Sequence, residues 1–412
     1  MRILFVTDEF AQPENTGFRS RVANLLRALE QLGPVEWVVL TREDPAGAGA
    51  PDDVSAIPRL APVRFRARPV GLGRWLFSRN PWRYVAVSAG ATRRELRDAT
   101  ASLAPFDIVM IARLDTALIV EPLLARLCKP TTTVAIDTDD LESFKITHRL
   151  AAERDQPGLR ASVRRLALRV DRRRWAALEK RISAKRLSFV CSELDQERLG
   201  GRPCIVPNAA PHVPEGFVRR PDPQRAVLLF VGSLTYEPNL DAVEFAATQI
   251  LPLVQREIPH AVLRVVGRGT HPRLGSVATI DGVELVGEVE RVAPELERAT
   301  VSLVPLRFGG GTRIKILEAL AHEVPVVSTT IGAEGLAVTD GGQCLIADTA
   351  STLAAACVRL IRSPAEGRQL AARGAELVAE RYDAASIRHT LVALLRDAQT
   401  DAQDARSDMT SS

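Results

Sequence analysis

Cysteine is scarce and scattered in this chain. Cys128, Cys191, Cys204, Cys344 and Cys357 are odd in number and form no CxxC pair. That argues against a disulfide framework and against a zinc site, and it suits a reducing cytoplasm. The six histidines, His148, His212, His260, His271, His322 and His389, show no HxxxH or HxH spacing, so no structural metal is expected. Charge of one sign is also lacking: the formal net charge of +4 is too small to argue for nucleic acid. No apolar run approaches the roughly 20 residues of a membrane span. The first run, Ile3 to Val6, ends after four residues at Thr7-Asp8-Glu9, so the N-terminus does not read as a signal peptide.

What is present is a soluble-protein composition, with 46% apolar and 25% charged residues. A length of 412 residues is enough for two domains, each with its own core. Short apolar runs alternate with helical patterns. Ile3–Thr7, Glu36–Leu40, Ile108–Ala112, Thr133–Asp137, Phe189–Cys191 and Ile205–Val206 read as strands. Helices are expected over Phe18–Leu32, Pro81–Ala104, Thr116–Arg126 and much of 158–187. The pattern then repeats, with strands at Val227–Val231, Val262–Val266, Val283–Leu285, Val301–Pro305, Val324–Ser328 and Cys344–Ala347. Such alternation predicts two doubly wound parallel sheets. Between them, the stretch Pro207 to Gln224 holds five prolines without periodicity and reads as a linker. A last helix is expected near Ala384 to Ala398, and the polar residues 401–412 read as a disordered tail.

The most informative stretch is Thr300 to Leu336. An apolar strand runs into Gly309-Gly310-Gly311-Thr312-Arg313, then into the amphipathic Ile314-Lys315-Ile316-Leu317-Glu318-Ala319-Leu320-Ala321, and then into Val324-Pro325-Val326-Val327. This is a βαβ unit with a bare backbone loop at the start of its helix. Unpaired N–H groups at a helix start face any anion held there. Arg313 and Lys315 put two cations in the turn where the helix dipole disfavours them, which a bound phosphate would explain. Glu318, one turn on, can accept from a hydroxyl pair such as that of a ribose. Taken alone, the glycines also fit a tight strand-to-helix turn.

This stretch resembles the C-terminal signature of family 4 glycosyltransferases, the retaining group with the GT-B fold. Further landmarks follow in order: Met1-Arg2-Ile3-Leu4-Phe5-Val6-Thr7, the segment Gly17 to Leu32, Val190-Cys191-Ser192-Glu193, Ile205-Val206-Pro207-Asn208, Leu229-Phe230-Val231-Gly232-Ser233-Leu234, Val265-Val266-Gly267-Arg268-Gly269 and Leu285-Val286-Gly287-Glu288-Val289. The resemblance implies two Rossmann-like domains facing across a cleft. They would be an acceptor-side domain of residues 1–208, joined by a helix crossing back at 384–400, a linker at 209–225 and a donor domain at 226–383. It implies transfer of a hexose or similar sugar, with retention, from a nucleotide-diphosphate donor to a hydroxyl acceptor in polysaccharide, lipopolysaccharide or glycolipid synthesis. It implies no metal and no cofactor, because GT-B enzymes stabilise the leaving diphosphate with cations and helix dipoles. Another GT-B enzyme, such as a nucleotide-sugar epimerase, and a non-catalytic GT-B binding protein are the alternatives.

By this resemblance Gly309, Gly310, Gly311, Thr312 and Glu318 would bind the donor, with Gly287 and Val289 meeting the nucleotide base. The chain departs from the family in places. The first of two glutamates eight positions apart falls at Gly310. The usual Arg and Lys after the Phe-Val-Gly strand end are replaced by Ser233 and the segment Tyr236-Glu237-Pro238-Asn239. Arg313 and Lys315 are the substitute phosphate cations, and Ser233 can still donate a hydrogen bond. The other reading of Ser233 to Asn239 is an ordinary loop with Asn239 capping the next helix. The first loop, Thr16-Gly17, would approach diphosphate or acceptor, with Arg19 or Arg21 reaching a phosphate or lying solvated. Asp139, within Asp137-Thr138-Asp139-Asp140, stands where the family often has a histidine near the reacting carbon. It would touch the donor sugar or orient the acceptor hydroxyl, unless the segment only caps a helix. Residues 160–186 are strongly basic, with Leu166, Val170, Trp175, Leu178 and Ile182 at helical spacing. Two readings follow: a core-packed helix with a solvated basic face, or peripheral contact with the inner face of a membrane holding a lipid-linked acceptor. Nucleic acid is not expected, since stacking aromatics are sparse there.

Overall fold

The computed structural model describes residues 1–11, 17–41, 60–64, 75, 77–78, 80–82, 89–154, 157–311 and 313–410. The chain divides into two compact units. One is Met1–Asn208 with Ala384–Ser412, and the other is Ala209–Asp383.

The first unit holds a seven-stranded sheet of β1 (Ile3–Thr7), β2 (Val35–Thr41), β3 (Leu60–Arg64), β4 (Phe106–Ala112), β5 (Cys128–Asp137), β6 (Leu187–Val190) and β7 (Cys204–Ile205). Its order is β3-β2-β1-β4-β5-β6-β7, and the paired strands run parallel. β1 is buried along its whole length, as a strand covered on both faces must be, and its sequence is accordingly unbroken apolar. β3 was not expected. Its run is short and contains Pro62, and it lies at the sheet edge, where a missing N–H is tolerated. The helix expected over Pro81–Ala104 spans Ala89–Thr100, with 83–88 outside the described residues.

The helix expected within 158–187 runs Leu159–Ser183, but only its C-terminal half enters the core. Trp175, Leu178 and Ile182 are buried, while Leu159, Val163 and Leu166 stand 82%, 56% and 61% exposed. The last helix, Ala384–Thr410, belongs to this unit. It packs on β5 and on the helix Gly17–Glu30. The tail expected to be disordered is therefore helical through Thr410. Asp401-Ala402-Gln403-Asp404-Ala405 is polar but free of glycine and proline, so it can extend a helix already nucleated upstream.

The second unit holds a six-stranded sheet of β8 (Ala226–Val231), β9 (Ala261–Val266), β10 (Val283–Gly287), β11 (Val301–Val304), β12 (Val326–Ser328) and β13 (Leu345–Ile346). The order is β10-β9-β8-β11-β12-β13, again parallel throughout. The proline-rich segment read as a linker is packed on this unit. Ala210 N donates to Tyr382 O at 2.9 Å, and Arg220 N donates to Glu297 O at 2.8 Å. The Phe217 ring stands edge-on to His322 with centroids 4.6 Å apart. Proline removes periodicity and N–H donors, yet a proline-rich chain can still be held by the donors and rings between its prolines.

In each sheet the strand order reverses once, between β1 and β4 and between β8 and β11. Loops leaving the carboxyl ends at such a point flank a crevice. The glycine loop follows β11, and Ser233 to Asn239 follow β8.

Candidate functional site

In the second unit, β8 ends at Gly232 and the chain turns into the helix Glu237–Phe245. β11 ends before Pro305, and the glycine loop leads into the helix Ile314–Ala321. These two loops lie against each other. A Cβ on Gly309, where φ is +125°, would stand 3.2 Å from Pro238 carbons and 3.3 Å from the Tyr236 hydroxyl. Arg307 adds a paired bridge to Asp241, at 2.8 and 2.5 Å. The loop after β12 braces the site from the other side: Ser328 Oγ donates to Val304 O at 3.2 Å, and Thr329 Oγ1 donates to Leu306 O.

Lys315 reaches back from its helix into this junction. Its Nζ lies 4.2 Å from the centre of the Phe230 ring and donates to Asn239 Oδ1 at 2.8 Å. Among the described residues no carboxylate pairs with it. Burial, and then the charge of Arg313, push its ammonium down to a pKa of about 7. Arg313 itself is buried. Its Nη1 donates to Gly310 O, while Nε and Nη2 reach Ile331 O at 3.4 and 3.3 Å. The guanidinium thus ties the glycine loop to the helix Thr330–Ala333. Glu318 lies one turn beyond Lys315. Among the described residues its carboxylate has no hydrogen-bond or ion-pair partner, and burial alone pushes it up to about 7. An unpartnered, largely desolvated carboxylate one turn into the helix that follows the glycine loop is suited to accept from ligand hydroxyls.

Ser233 Oγ lies 2.9 Å from Thr235 Oγ1. Asn239 does not cap the next helix. That helix has Tyr236 at its N-cap with no side-chain cap, and Asn239 Nδ2 instead donates to Ser233 O at 2.9 Å. Gly287 ends the edge strand β10 at φ +85°, and its carbonyl accepts from Gly267 N at 2.8 Å. Val289, just beyond it, packs on the core. Thr312 lies outside the described residues.

In the first unit the expected residues gather at the β1–β4–β5 ends, where cations and carboxylates alternate. Gly17 opens the first helix, and Thr16 lies outside the described residues. Arg19 Nε stands 3.5 Å from Glu9. Arg21, read as reaching a phosphate or lying solvated, does neither. It is buried, bidentate to Asp137 at 2.7 and 2.5 Å, and donates to Val206 O and Asn208 Oδ1 at 3.0 Å each. Its position on the inward face of the helix, beside Val22 and Leu25, explains this.

Asp139 is buried with φ +55°, and its Oδ2 lies 3.5 Å from Arg113 Nε. Burial and the neighbouring Asp140 raise its carboxyl to about 7. Arg113, which the sequence reading did not single out, also carries a positive φ, of 68°. It lies 3.3 Å from Asp8 and 3.5 Å from Glu9, with its guanidinium over the Phe18 ring. Arg113 and Asp139 are thus two non-glycine residues with positive φ that follow adjacent strands. Asp140 pairs with Lys145 at 2.6 Å. Asp137 thus pairs with Arg21, Asp139 lies between Arg113 and Arg21, and Asp140 turns to Lys145. Among the described residues, no group of three or more His, Cys, Asp or Glu is arranged to hold a metal ion.

Residues 225–363 match the model of a family described as glycosyl transferases group 1. That match lies within the second unit and covers the β8 and β11 loops. An uncharacterized 44.6 kDa protein in the cps region of Klebsiella pneumoniae is 25% identical over 215 residues, half of this chain and 54% of that relative. The chain therefore matches only about half the length of this curated relative. Among solved structures, sucrose-phosphate synthase from Thermosynechococcus elongatus superposes with a TM-score of 0.70 at 17% identity, covering 96% of this chain and 99% of that one. HepE from Anabaena, solved in complex with UDP-glucose, gives 0.64 at 13% identity over 96% and 100%. The fold is GT-B. The likeness to group 1 glycosyl transferases thus lies in residues 225–363, and the likeness to the solved structures is one of fold. No described helix is long and apolar enough to cross a membrane.

Proposed function

We propose that this protein transfers a sugar, with retention, from a nucleotide-diphosphate sugar to a hydroxyl acceptor. The observation that carries the reading is that the glycine loop, Lys315 and Glu318 follow one another on the strand–loop–helix unit at the strand-order reversal of the second sheet, with Lys315 Nζ bound to Asn239 of the facing loop and helix. In this reading Lys315 neutralises the diphosphate as it leaves. The N–H groups of Gly309 to Gly311 add fixed dipoles, and Arg313 holds the loop in shape while contributing long-range charge. Glu318 accepts from the ribose hydroxyls, and Gly287 and Val289 border the base. Ser233 offers a hydroxyl to the phosphates. In the first unit, Asp139 beside Arg113, with Gly17 and Arg19, would serve the acceptor. No metal takes part, and a hexose is the sugar class proposed.

The acceptor proposed is a growing glycan on a lipid carrier. The exposed Leu159, Val163 and Leu166, with Arg160, Arg169 and Arg173 on the same helix, support contact with an anionic membrane surface.

The test is a thermal-shift panel of nucleotide sugars followed by product analysis. Stabilisation by one donor class, and transfer that excess EDTA leaves intact, is the expected result. Release of a free sugar epimer without acceptor would favour an epimerase. Binding without turnover would favour a non-catalytic protein.

A further inference from the structure

Lys315 raises a question that the function reading leaves open. Lys315 is half-buried, and an ammonium drawn out of water ordinarily has a carboxylate partner, because desolvation of an unpaired charge is costly. Here, among the described residues, it donates to a neutral amide, Asn239 Oδ1. That amide cannot turn over. Its Nδ2 is committed to Ser233 O, and Asn239 N donates to Tyr236 O at 2.9 Å. If the amide flipped, an NH2 would face the ammonium and an oxygen would face a carbonyl, so both contacts would become repulsive.

The position next to them is kept open. A Cβ on Gly232 would lie 2.7 Å from Lys315 Nζ and from Asn239 Nδ2 alike. Gly232 is itself held to the neighbouring strand, its N–H donating to Val266 O at 2.9 Å. A lysine, an amide that fixes it and a glycine that leaves its ammonium approachable form one arrangement.

The charges around it are accounted for. Arg313 acts on Lys315 from the same segment, and Glu318 lies one turn along. β8 presents Phe230 and Gly232. The helix Glu237–Phe245 presents Asn239, while its own carboxylates are committed elsewhere: Glu237 and Glu244 to Arg273, and Asp241 to Arg307.

We propose that Asn239 is a positioning residue that holds Lys315 without neutralising it, so that a nucleoside diphosphate bound at this site becomes the counter-ion and a proton is taken up onto Lys315 as it binds. This rests on the function reading above and names how its site is poised. With an aspartate in place of Asn239 the ammonium would be permanently paired and less available to phosphate. The amide leaves the charge to the ligand. The proton comes from solvent and is returned when the diphosphate leaves.

The sign follows from the position of the ammonium near pH 7 in the empty site. A bound dianion favours the protonated form, so affinity falls as pH rises above about 7, by about tenfold per pH unit. Glu318 and the terminal phosphate of the nucleotide act in the opposite direction, weakening binding as pH falls.

The experiment is calorimetric titration of the wild type with UDP, GDP, ADP and dTDP, continued with the tightest binder from pH 6 to 9. At pH 8 it is repeated in two buffers of different ionisation enthalpy. Asn239→Asp and Asn239→Ala follow, with their fold checked by circular dichroism. Expected are uptake of roughly one proton at pH 8 in the wild type, a flattened pH profile with at least tenfold weaker binding in Asn239→Asp, and weaker binding with the loss displaced to lower pH in Asn239→Ala. A wild type that binds with no proton uptake would overturn the inference while leaving the function reading intact. So would a folded Asn239→Asp protein with wild-type affinity and slope. A wild type that binds none of the four nucleotides would overturn both.

Discussion

At the scale of single residues, the second unit places two ionisable groups where burial works against their charge. Glu318 is raised and Lys315 lowered, each to about 7. The linkage signs are opposite. Between about pH 4.5 and 7 the folded protein holds a proton on Glu318 that the unfolded chain has lost, so this group makes stability fall as pH rises through that window. Between about 7 and 10.5 the unfolded chain holds the Lys315 proton that the folded protein has lost, so stability rises with pH there. Glu318→Gln should therefore raise the melting temperature at pH 8 more than at pH 5, which a pH series of thermal melts would read. The same variant should weaken nucleotide binding by about 1.5–3 kcal/mol, the scale of a hydrogen bond to a charged group. Unchanged affinity in a folded protein would remove Glu318 from the site. Lys315→Ala should lower kcat by roughly 10²–10³ with a smaller change in KM, since charge on the diphosphate is greatest in the transition state. Arg313→Ala should lower kcat too, with a loss of stability that Lys315→Ala lacks, because its guanidinium ties two loops together.

At the scale of elements, close backbone approach matters more than side-chain chemistry. β8 and β9 converge so that the Gly232 carbonyl occupies the place where a Gly267 side chain would begin, at 1.9 Å. Gly267→Ala must push the two strand ends apart. A cost of about 2–4 kcal/mol is expected, read as a lower denaturation midpoint together with loss of nucleotide binding. The helix Leu159–Ser183 is divided in burial along its length. Its buried end carries Trp175 and its exposed end carries Leu159, Val163 and Leu166. If the exposed end meets a membrane, the wild type should sediment with anionic vesicles at low salt and be released at high salt. A variant with Leu159, Val163 and Leu166 all changed to Ser should stay in the supernatant. Equal binding to neutral vesicles, or no binding at low salt, would end that reading.

At the scale of the whole molecule, the first unit is completed by the last helix of the chain. Ala384–Thr410 sets Ile387, Leu391, Val392 and Leu395 into it, and Gln399 exchanges hydrogen bonds with Thr133 Oγ1 and Thr131 O at 3.0 Å each. Arg388 Nη1 donates to Asn24 Oδ1 at 2.9 Å. Leu395 is fully buried, so Leu395→Ala should cost about 2–5 kcal/mol, lost from the transition that reports the first unit. Fluorescence of Trp37 and Trp175, both buried there, would follow it, while nucleotide binding by the second unit should outlast it.

Much of this protein could be read directly from its sequence. The runs Ile3 to Val6 and Val227 to Val231 are unbroken apolar because both faces of a parallel sheet are covered, and the three successive glycines mark the turn from strand to helix. Local pattern also predicted the alternation of strand and helix, hence the fold class. It missed β3, whose Pro62 is tolerated only because tertiary packing puts that strand at an edge. It missed that the proline-rich segment packs on the second unit, since rings and donors between prolines leave no periodic signal. The direction of a charged side chain is likewise not a local property. Arg19 and Arg21 are two positions apart on one helix, yet one reaches toward Glu9 and the other is buried against Asp137, which is 116 residues away. Lys315 finds Asn239 from 76 residues away, and Arg113 meets Asp139 only because β4 and β5 are neighbours. Periodicity is set by what each stretch must bury. The pairing of charges is set by which strand ends the sheet brings side by side, and that is decided only when the sheet has formed.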